Sequence, residues 1–217
     1  MTYTGNVTPG GPPAVRELSA LTMTKVSVGP MDNNAYLLRH RATGEQLLID
    51  AANDAGRLLD LVGPAGLATV VTTHRHGDHH AALTRVATAT GARSLAHPDD
   101  AREIPIVTGT VVDGDEVTVG DCVLEVIHLV GHTPGSIALL HRDPAGPAHL
   151  WTGDSLFPGG VGNTHRDPAA FASLLGDVER KLFDRLPDDT WFYPGHGNDS
   201  TLGAERPSLP EWRARGW

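Results

Sequence analysis

Residues 72–80 read TTHRHGDHH, directly after the apolar run LATVV at 67–71. Four histidines fall within seven positions, with an aspartate among them. Clustered imidazoles repel one another once protonated, so their company needs a reason. A polar loop is the plain explanation in a chain with 12 histidines. A metal site is the specific one. The apolar run reads as a strand that delivers the cluster at its C-terminal end. The decision rests on whether the rest of the chain supplies further ligands.

Three other places supply them. His132 in GHTPGS, Asp154 in TGDS and His196 in PGHG each lie just past the end of a predicted strand. All three are flanked by small or turn-forming residues. Loops at strand ends are where a rigid sheet presents reactive groups, and glycine lets the backbone come close to a ligand. Taken singly, each reads more readily as an ordinary loop, cap or turn residue. Together with the cluster they form a set of imidazoles and carboxylates without thiolate, which suits zinc, iron or manganese.

Composition sets the outer bounds. The 217 residues are 40% hydrophobic and 20% charged, as expected of one globular domain spanning 1–217. A formal net charge of −9 argues against nucleic-acid binding, which works through Lys and Arg. Lysine occurs only at Lys25 and Lys181. The single Cys122 excludes an intramolecular disulfide and any Cys-rich zinc motif. In GDCVLEV it reads as a buried strand residue. No apolar run approaches membrane-spanning length. The start of the chain has neither the charged nor the apolar part of a signal peptide, so a cytoplasmic protein is expected.

Strands and helices alternate along the chain, which points to a layered α/β architecture. Residues 1–14, rich in Gly, Pro and Thr, read as a loose arm. LTMTKVSV alternates as a strand, and NAYLLRH with EQLLIDA reads as a hairpin. NDAGRLLDLVG and HAALTRVATATG read as helices ended by Gly63 and Gly91. RSLAH reads as a short strand. EVTVGDCVLEVIHLVGH reads as two strands about Gly120–Asp121, and SIALLHR and AHLWTGD as two more. DPAAFASLLGDVERKLFDRL reads as one long helix, capped by Asp167 with Pro168 at its first position. TWFYPGHG is a last strand ending in histidine.

The four motifs, in this order, resemble those of the metallo-β-lactamase superfamily, and within it the glyoxalase II (hydroxyacylglutathione hydrolase) branch. The family motif His-x-His-x-Asp-His is matched by His74-Arg75-His76-Gly77-Asp78-His79. The later ligands are matched by His132, Asp154 and His196, and the resemblance spans roughly Leu21 to Asn198. It implies a four-layer αβ/βα sandwich with the metal site at one edge of two sheets. It implies His74, His76 and His132 at a first metal, Asp78, His79 and His196 at a second, and Asp154 bridging both. The spacing agrees with this. Residues 74 and 76 are two apart in extended chain and point the same way. Asp78 and His79 lie where the loop turns toward a helix. The implied cofactors are two divalent ions, zinc first, with iron or manganese as alternatives. His80 is expected on the following helix. His128 reads as a support for its neighbours, and His165 as a surface residue.

The implied reaction is hydrolysis of a small-molecule acyl thioester. A hydroxide shared by the metals would attack the acyl carbonyl, oriented by Asp78 as the catalytic residue. The β-lactamases of the superfamily lack the bridging aspartate and some use cysteine, so Asp154 argues against antibiotic hydrolysis. Two departures from glyoxalase II stand out. Only 21 residues follow His196, too few for that family's helical C-terminal domain. The segment after the bridging aspartate reads GGVGNT, where the family often carries a basic glutathione contact. The reading is therefore a short form whose thiol carrier need not be glutathione. The alternative is a persulfide dioxygenase-like oxidoreductase, in which one iron would be held by His74, His132 and Asp154. A ribonuclease of the superfamily would need an added RNA-gripping arm, and a structural zinc site would be closed and four-coordinate.

Overall fold

The computed structural model describes residues 3–216. Its first sheet runs in order through β1 (Ala14–Glu17), β2 (Leu21–Val28), β3 (Asn33–His40), β4 (Gln46–Ile49), β5 (Thr69–Val71), β6 (Arg93–Ala96) and β7 (Gly109–Thr110). The first four strands pair antiparallel. From β4 onward the pairing is parallel. Two helices make the crossovers: α1 (Ala55–Val62) and α2 (Leu83–Thr90). The second sheet holds β8 (Glu116–Val119), β9 (Cys122–His128), β10 (Ile137–Arg142) and β11 (Ala148–Gly153). A small hairpin, β12 (Leu156–Phe157) and β13 (Gly160–Val161), leads to α3 (Pro168–Val178). The chain then returns as β14 (Trp191–Pro194), parallel to β11, and β15 (Ser200–Thr201). It ends in α4 (Leu202–Glu205) and α5 (Leu209–Arg215).

Strand alternation explains the layers. In β4, Leu47 and Ile49 face the space between the sheets, and Leu48 faces α1 and α2. In β10, Leu139 joins the inter-sheet core, and Leu140 packs toward Phe171 and Leu174 of α3. Period two thus sends successive side chains to opposite cores, each buried Leu or Ile contributing about 1.5–3 kcal/mol. The result is helices, sheet, sheet, helices, the αβ/βα sandwich expected from the sequence. Cys122 is buried and free in β9, as expected.

The structure differs from the sequence reading in a few places. The long helix after Asp167 is α-helical only to Val178, and Glu179–Phe183 winds as a wider π turn. Leu182 and Phe183 of this turn are both buried in the core beneath the second sheet. The N-terminal arm is less loose than its composition suggests. Ala14–Glu17 pairs with β2, and the Tyr3 hydroxyl donates to Asp199 at 2.6 Å. His80 lies in the turn before α2, not on it. Among the described residues, no helix is long and apolar enough to cross a membrane.

Candidate metal centre

Four strand ends meet at one edge of the sandwich. β5 leads into His74 and His76, and a 3-10 turn over Gly77–His79 then brings Asp78 and His79 inward. The loops after β9, β11 and β14 carry His132, Asp154 and His196. All seven residues singled out in the sequence come together here. Their donor atoms form compact groups: His74, His76 and His132; Asp78, His79 and His196; and His74, His79 and Asp154. One Asp154 oxygen lies 3.7 Å from His132 Nε2 and 3.5 Å from His196 Nε2. Its other oxygen is 3.4 Å from His79 Nε2. Asp154 thus reaches both sets. Gly195 permits this approach, because a Cβ there would run into Asp154 and His79.

The far ring nitrogens are already committed. His79 Nδ1 donates to Asp50 at 2.9 Å, His132 Nδ1 to the Asn163 carbonyl at 2.8 Å, and His196 Nδ1 to the Met31 carbonyl at 3.0 Å. His74 Nδ1 lies 3.0 Å from the Thr73 hydroxyl, which itself donates to Asp50. That hydroxyl proton is used, so His74 Nδ1 is the donor. The Nε2 lone pairs therefore point inward, 3.3 Å apart for His74 and His132 and 3.2 Å for His79 and His196. Lone pairs facing lone pairs at that separation require a cation between them. Asp154 Oδ1, buried without a hydrogen-bond donor, adds to the demand. The donor set fits divalent metal ions: neutral imidazoles with fixed tautomers, and carboxylates.

The titration behaviour agrees. Burial holds His74 well below its ordinary pKa, with neighbouring His79 adding to the effect. Burial also lowers His76 and His132. At His79, burial works against protonation, but the neighbouring Asp154 and Asp50 carboxylates outweigh it and lift the pKa to about 10. His196 is raised in the same way, burial being outweighed by Asp154. Burial opposes ionisation of Asp154, yet His196 and His79 hold its carboxyl well below the usual range. Asp78 is lowered too, as Asn33 and His79 overcome the cost of burial. A proton on His79 can serve as the cation, and a divalent ion would replace it.

Sequence reasoning missed three supports. Asp50 accepts from the Thr73 amide, the Thr73 hydroxyl and His79. It sits at the end of an apolar strand in LLID, the same signal that marked Asp154. Asp100 accepts from the Arg75 amide, the Thr133 hydroxyl and the Gly135 amide. Asn33 donates to Asp78 at 2.8 Å. Neither Asp100 nor Asn33 carries a local motif. The other histidines divide by position. His80 Nε2 donates to the Arg75 carbonyl, and His128 Nε2 to the Pro134 carbonyl, so both brace ligand loops. His165 is exposed on the rim, its ring 6.2 Å from that of His76.

Comparison with known proteins follows the same lines. Residues 28–196 match the family model of the metallo-beta-lactamase superfamily. A hydroxyacylglutathione hydrolase of Rhodospirillum rubrum is 33% identical over 181 residues, 82% of this chain. The alignment covers 67% of that hydrolase, so the chain spans about two thirds of its length. The structure of TTHA1623 in a di-iron-bound form matches at a TM-score of 0.72 and 30% identity, over 86% of this chain and 98% of that one. The structure of ETHE1 from Myxococcus xanthus matches at 0.77 and 28% identity, over 88% of this chain and 84% of that one. With the fold, the order of the motifs and the family match in agreement, the chain belongs to the metallo-beta-lactamase superfamily.

Proposed function

We propose that this protein is a two-metal hydrolase acting on small-molecule acyl thioesters. His74, His76 and His132 would hold one ion, Asp78, His79 and His196 the other, and Asp154 both. The observation that carries the reading is the second donor set: Asp78, His79 and His196 stand as a group of their own beside the first. Two divalent ions held there, zinc or iron or manganese, would lower the pKa of water toward neutrality and polarise an acyl carbonyl. Asp78, held by Asn33, would accept a hydrogen bond from the attacking water and orient it. A thiolate leaves without a general acid, which suits a site where the nearest acidic groups are ionised. The likeness to hydroxyacylglutathione hydrolase supports a thioester, and Asp154 speaks against β-lactams. The reading needs neither nucleic acid nor membrane as a partner, and a cytoplasmic setting suits it.

The likeness to ETHE1 keeps a second reading in view, a mono-iron persulfide dioxygenase using His74, His132 and Asp154. The substitution His196→Ala separates the two. For the hydrolase, metal content falls from about two per chain toward one, and most thioester turnover is lost. His76→Ala behaves likewise. A wild-type protein with a single iron, unchanged in content in both folded variants and active with oxygen and a persulfide, would establish the dioxygenase instead.

A further inference from the structure

Outside the centre, another cluster brings imidazole and carboxylate together. His97 follows β6 in the first sheet, and His128 ends β9 in the second. Their rings stack across the seam between the sheets, with centroids 3.9 Å apart and planes 22° from parallel. Asp99 completes the group: each of the three side chains offers a donor atom within 4.8 Å of the other two. His97 is buried, His128 half-buried and Asp99 exposed, so the cluster opens to solvent on one side. The backbone fixes how Asp99 approaches. The His97 carbonyl accepts from the Asp100 and Ala101 amides at 3.1 and 3.0 Å, a tight turn that carries Asp99 back toward the His97 ring.

The ring protons are assigned by their partners. His128 Nε2 lies 2.7 Å from the Pro134 carbonyl, which can only accept, so the proton is there and Nδ1 keeps its lone pair. His97 Nδ1 accepts from the Asp99 amide at 3.3 Å, so it too keeps a lone pair. Burial and the neighbouring His128 lower the His97 pKa, which keeps that ring neutral at neutral pH. An Asp99 oxygen stands 3.6 Å from the same His97 nitrogen. A lone pair set against a carboxylate calls for a cation, and among the described residues no Lys or Arg pairs with Asp99. Lys181 is taken up by the His128 carbonyl and Asp113, and Arg75 by Glu103 and Asp100.

We propose that His97, Asp99 and His128 form a further metal site, separate from the paired centre, that takes one zinc-class divalent ion and ties the two sheets together. Two imidazoles and a carboxylate suit zinc, copper or nickel, whereas magnesium and calcium take oxygen ligands. Three protein donors leave a fourth position for water on the open side. The two rings come from different sheets, so the ion stabilises the seam rather than either sheet alone. The same stretch of seam supports the loop of His132. His128 holds the Pro134 carbonyl there, and Asp100, next to Asp99, holds Thr133 and Gly135. The inference goes beyond the thioester reading and does not depend on it.

The test counts ions. Protein with its centre loaded is dialysed against buffered free zinc over a range of concentrations. Bound zinc is then measured by elemental analysis in the wild type, His97→Ala and Asp99→Asn. At saturation the wild type should hold one ion per chain more than His97→Ala, whatever number the centre holds. Asp99→Asn, an exposed and conservative change, should weaken that ion by about tenfold or more, since even a group behind a ligand is worth as much. Free zinc about a hundredfold above the ion's Kd should raise the wild-type thermal midpoint by about 5–10 °C over the centre-loaded value. His97→Ala should lose that rise, and magnesium should not produce it. Should His97→Ala fail to fold, Asp99→Asn carries the comparison by itself. Equal zinc uptake by the wild type and the folded variants overturns the site. So does a wild type that takes no ion beyond its centre, or one that takes it only at millimolar zinc, as an adventitious ion would be. Thioester turnover, present or absent, leaves this count unchanged, so the site and the hydrolase reading stand or fall separately.

Discussion

The two halves of the metal centre are held in different ways. In the half formed by His74, His76 and His132, two rings are held by neutral groups, the Thr73 hydroxyl and the Asn163 carbonyl, and the loops behind them are tied to each other. Buried Asp100 takes the Arg75 and Gly135 amides and the Thr133 hydroxyl, joining the loops after β5 and β9 without touching a ligand ring. The half formed by Asp78, His79 and His196 is gripped at the ligands. Asp50 binds the His79 ring, Asn33 binds Asp78, and the Met31 carbonyl binds the His196 ring. Burial does not follow that division: His74, His132 and His79 are buried, and His76, Asp78 and His196 are partly exposed. Support through the backbone sets where a ligand sits. Support at the ring sets its tautomer and charge as well.

The largest effect is expected where the halves meet. Asp154→Ala removes the one carboxylate among the described residues that reaches both, so both ions should be held weakly and thioester turnover should fall by on the order of a hundredfold or more. Elemental analysis after desalting checks this. Two ions still retained would show that the halves are independent sites.

A smaller effect sharpens the contrast between the supports. Asp50→Asn should weaken metal binding by roughly 10–100-fold, as losing a carboxylate behind a metal-bound histidine does. Asp100→Asn should leave affinity within severalfold and show instead as a lower thermal midpoint, from amides and a hydroxyl left poorly paired. Competition titration with a chromophoric chelator, run beside thermal unfolding, measures both. Equal losses of affinity would erase the distinction.

The last contrast is in pH. Burial lowers His74, His76 and His132, so the first half is ready for metal at neutral pH. His79, raised to about 10 by Asp154 and Asp50 against burial, must give up a proton first. Below that pKa the second ion's apparent affinity should fall as pH falls, with protons released on binding from His79 and from His196, which Asp154 also raises. The first ion's affinity should stay nearly flat from pH 7 to 9. Calorimetry in two buffers of different ionisation heat counts the protons. Equal release in both steps would contradict the assignment.

The donors were legible because they are either contiguous, as in residues 74–79, or placed at strand ends beside glycine. Their supports were less so. Asp100 reaches partners 25 to 35 positions away, and Asn33 one 45 away. No local spacing encodes such contacts, since only the stacking of two sheets creates them. Lys25 illustrates the same limit. Composition drew notice to it as one of two lysines, but not to its buried pairing with Asp199 at 2.6 Å across the inter-sheet seam. The π turn at Glu179–Phe183 escaped for another reason: its residues fit α periodicity, and the demands of the core decide the winding.

That pairing has a consequence in time. Every strand of the first sheet lies before residue 111, so the sheet can form as soon as that part of the chain has left the ribosome. The centre cannot. Lys25 meets Asp199 and the Gly197 carbonyl, and the Asn34 side chain meets the Pro194 and Gly197 carbonyls, over separations of 160 to 174 residues. Closing so long a loop is slow compared with forming neighbouring strands. His196 therefore reaches its place only when the last segment docks. A half-made chain offers His74, His76, Asp78 and His79 but lacks the last donor of each set, so metal capture in full waits until the segment carrying His196 has docked.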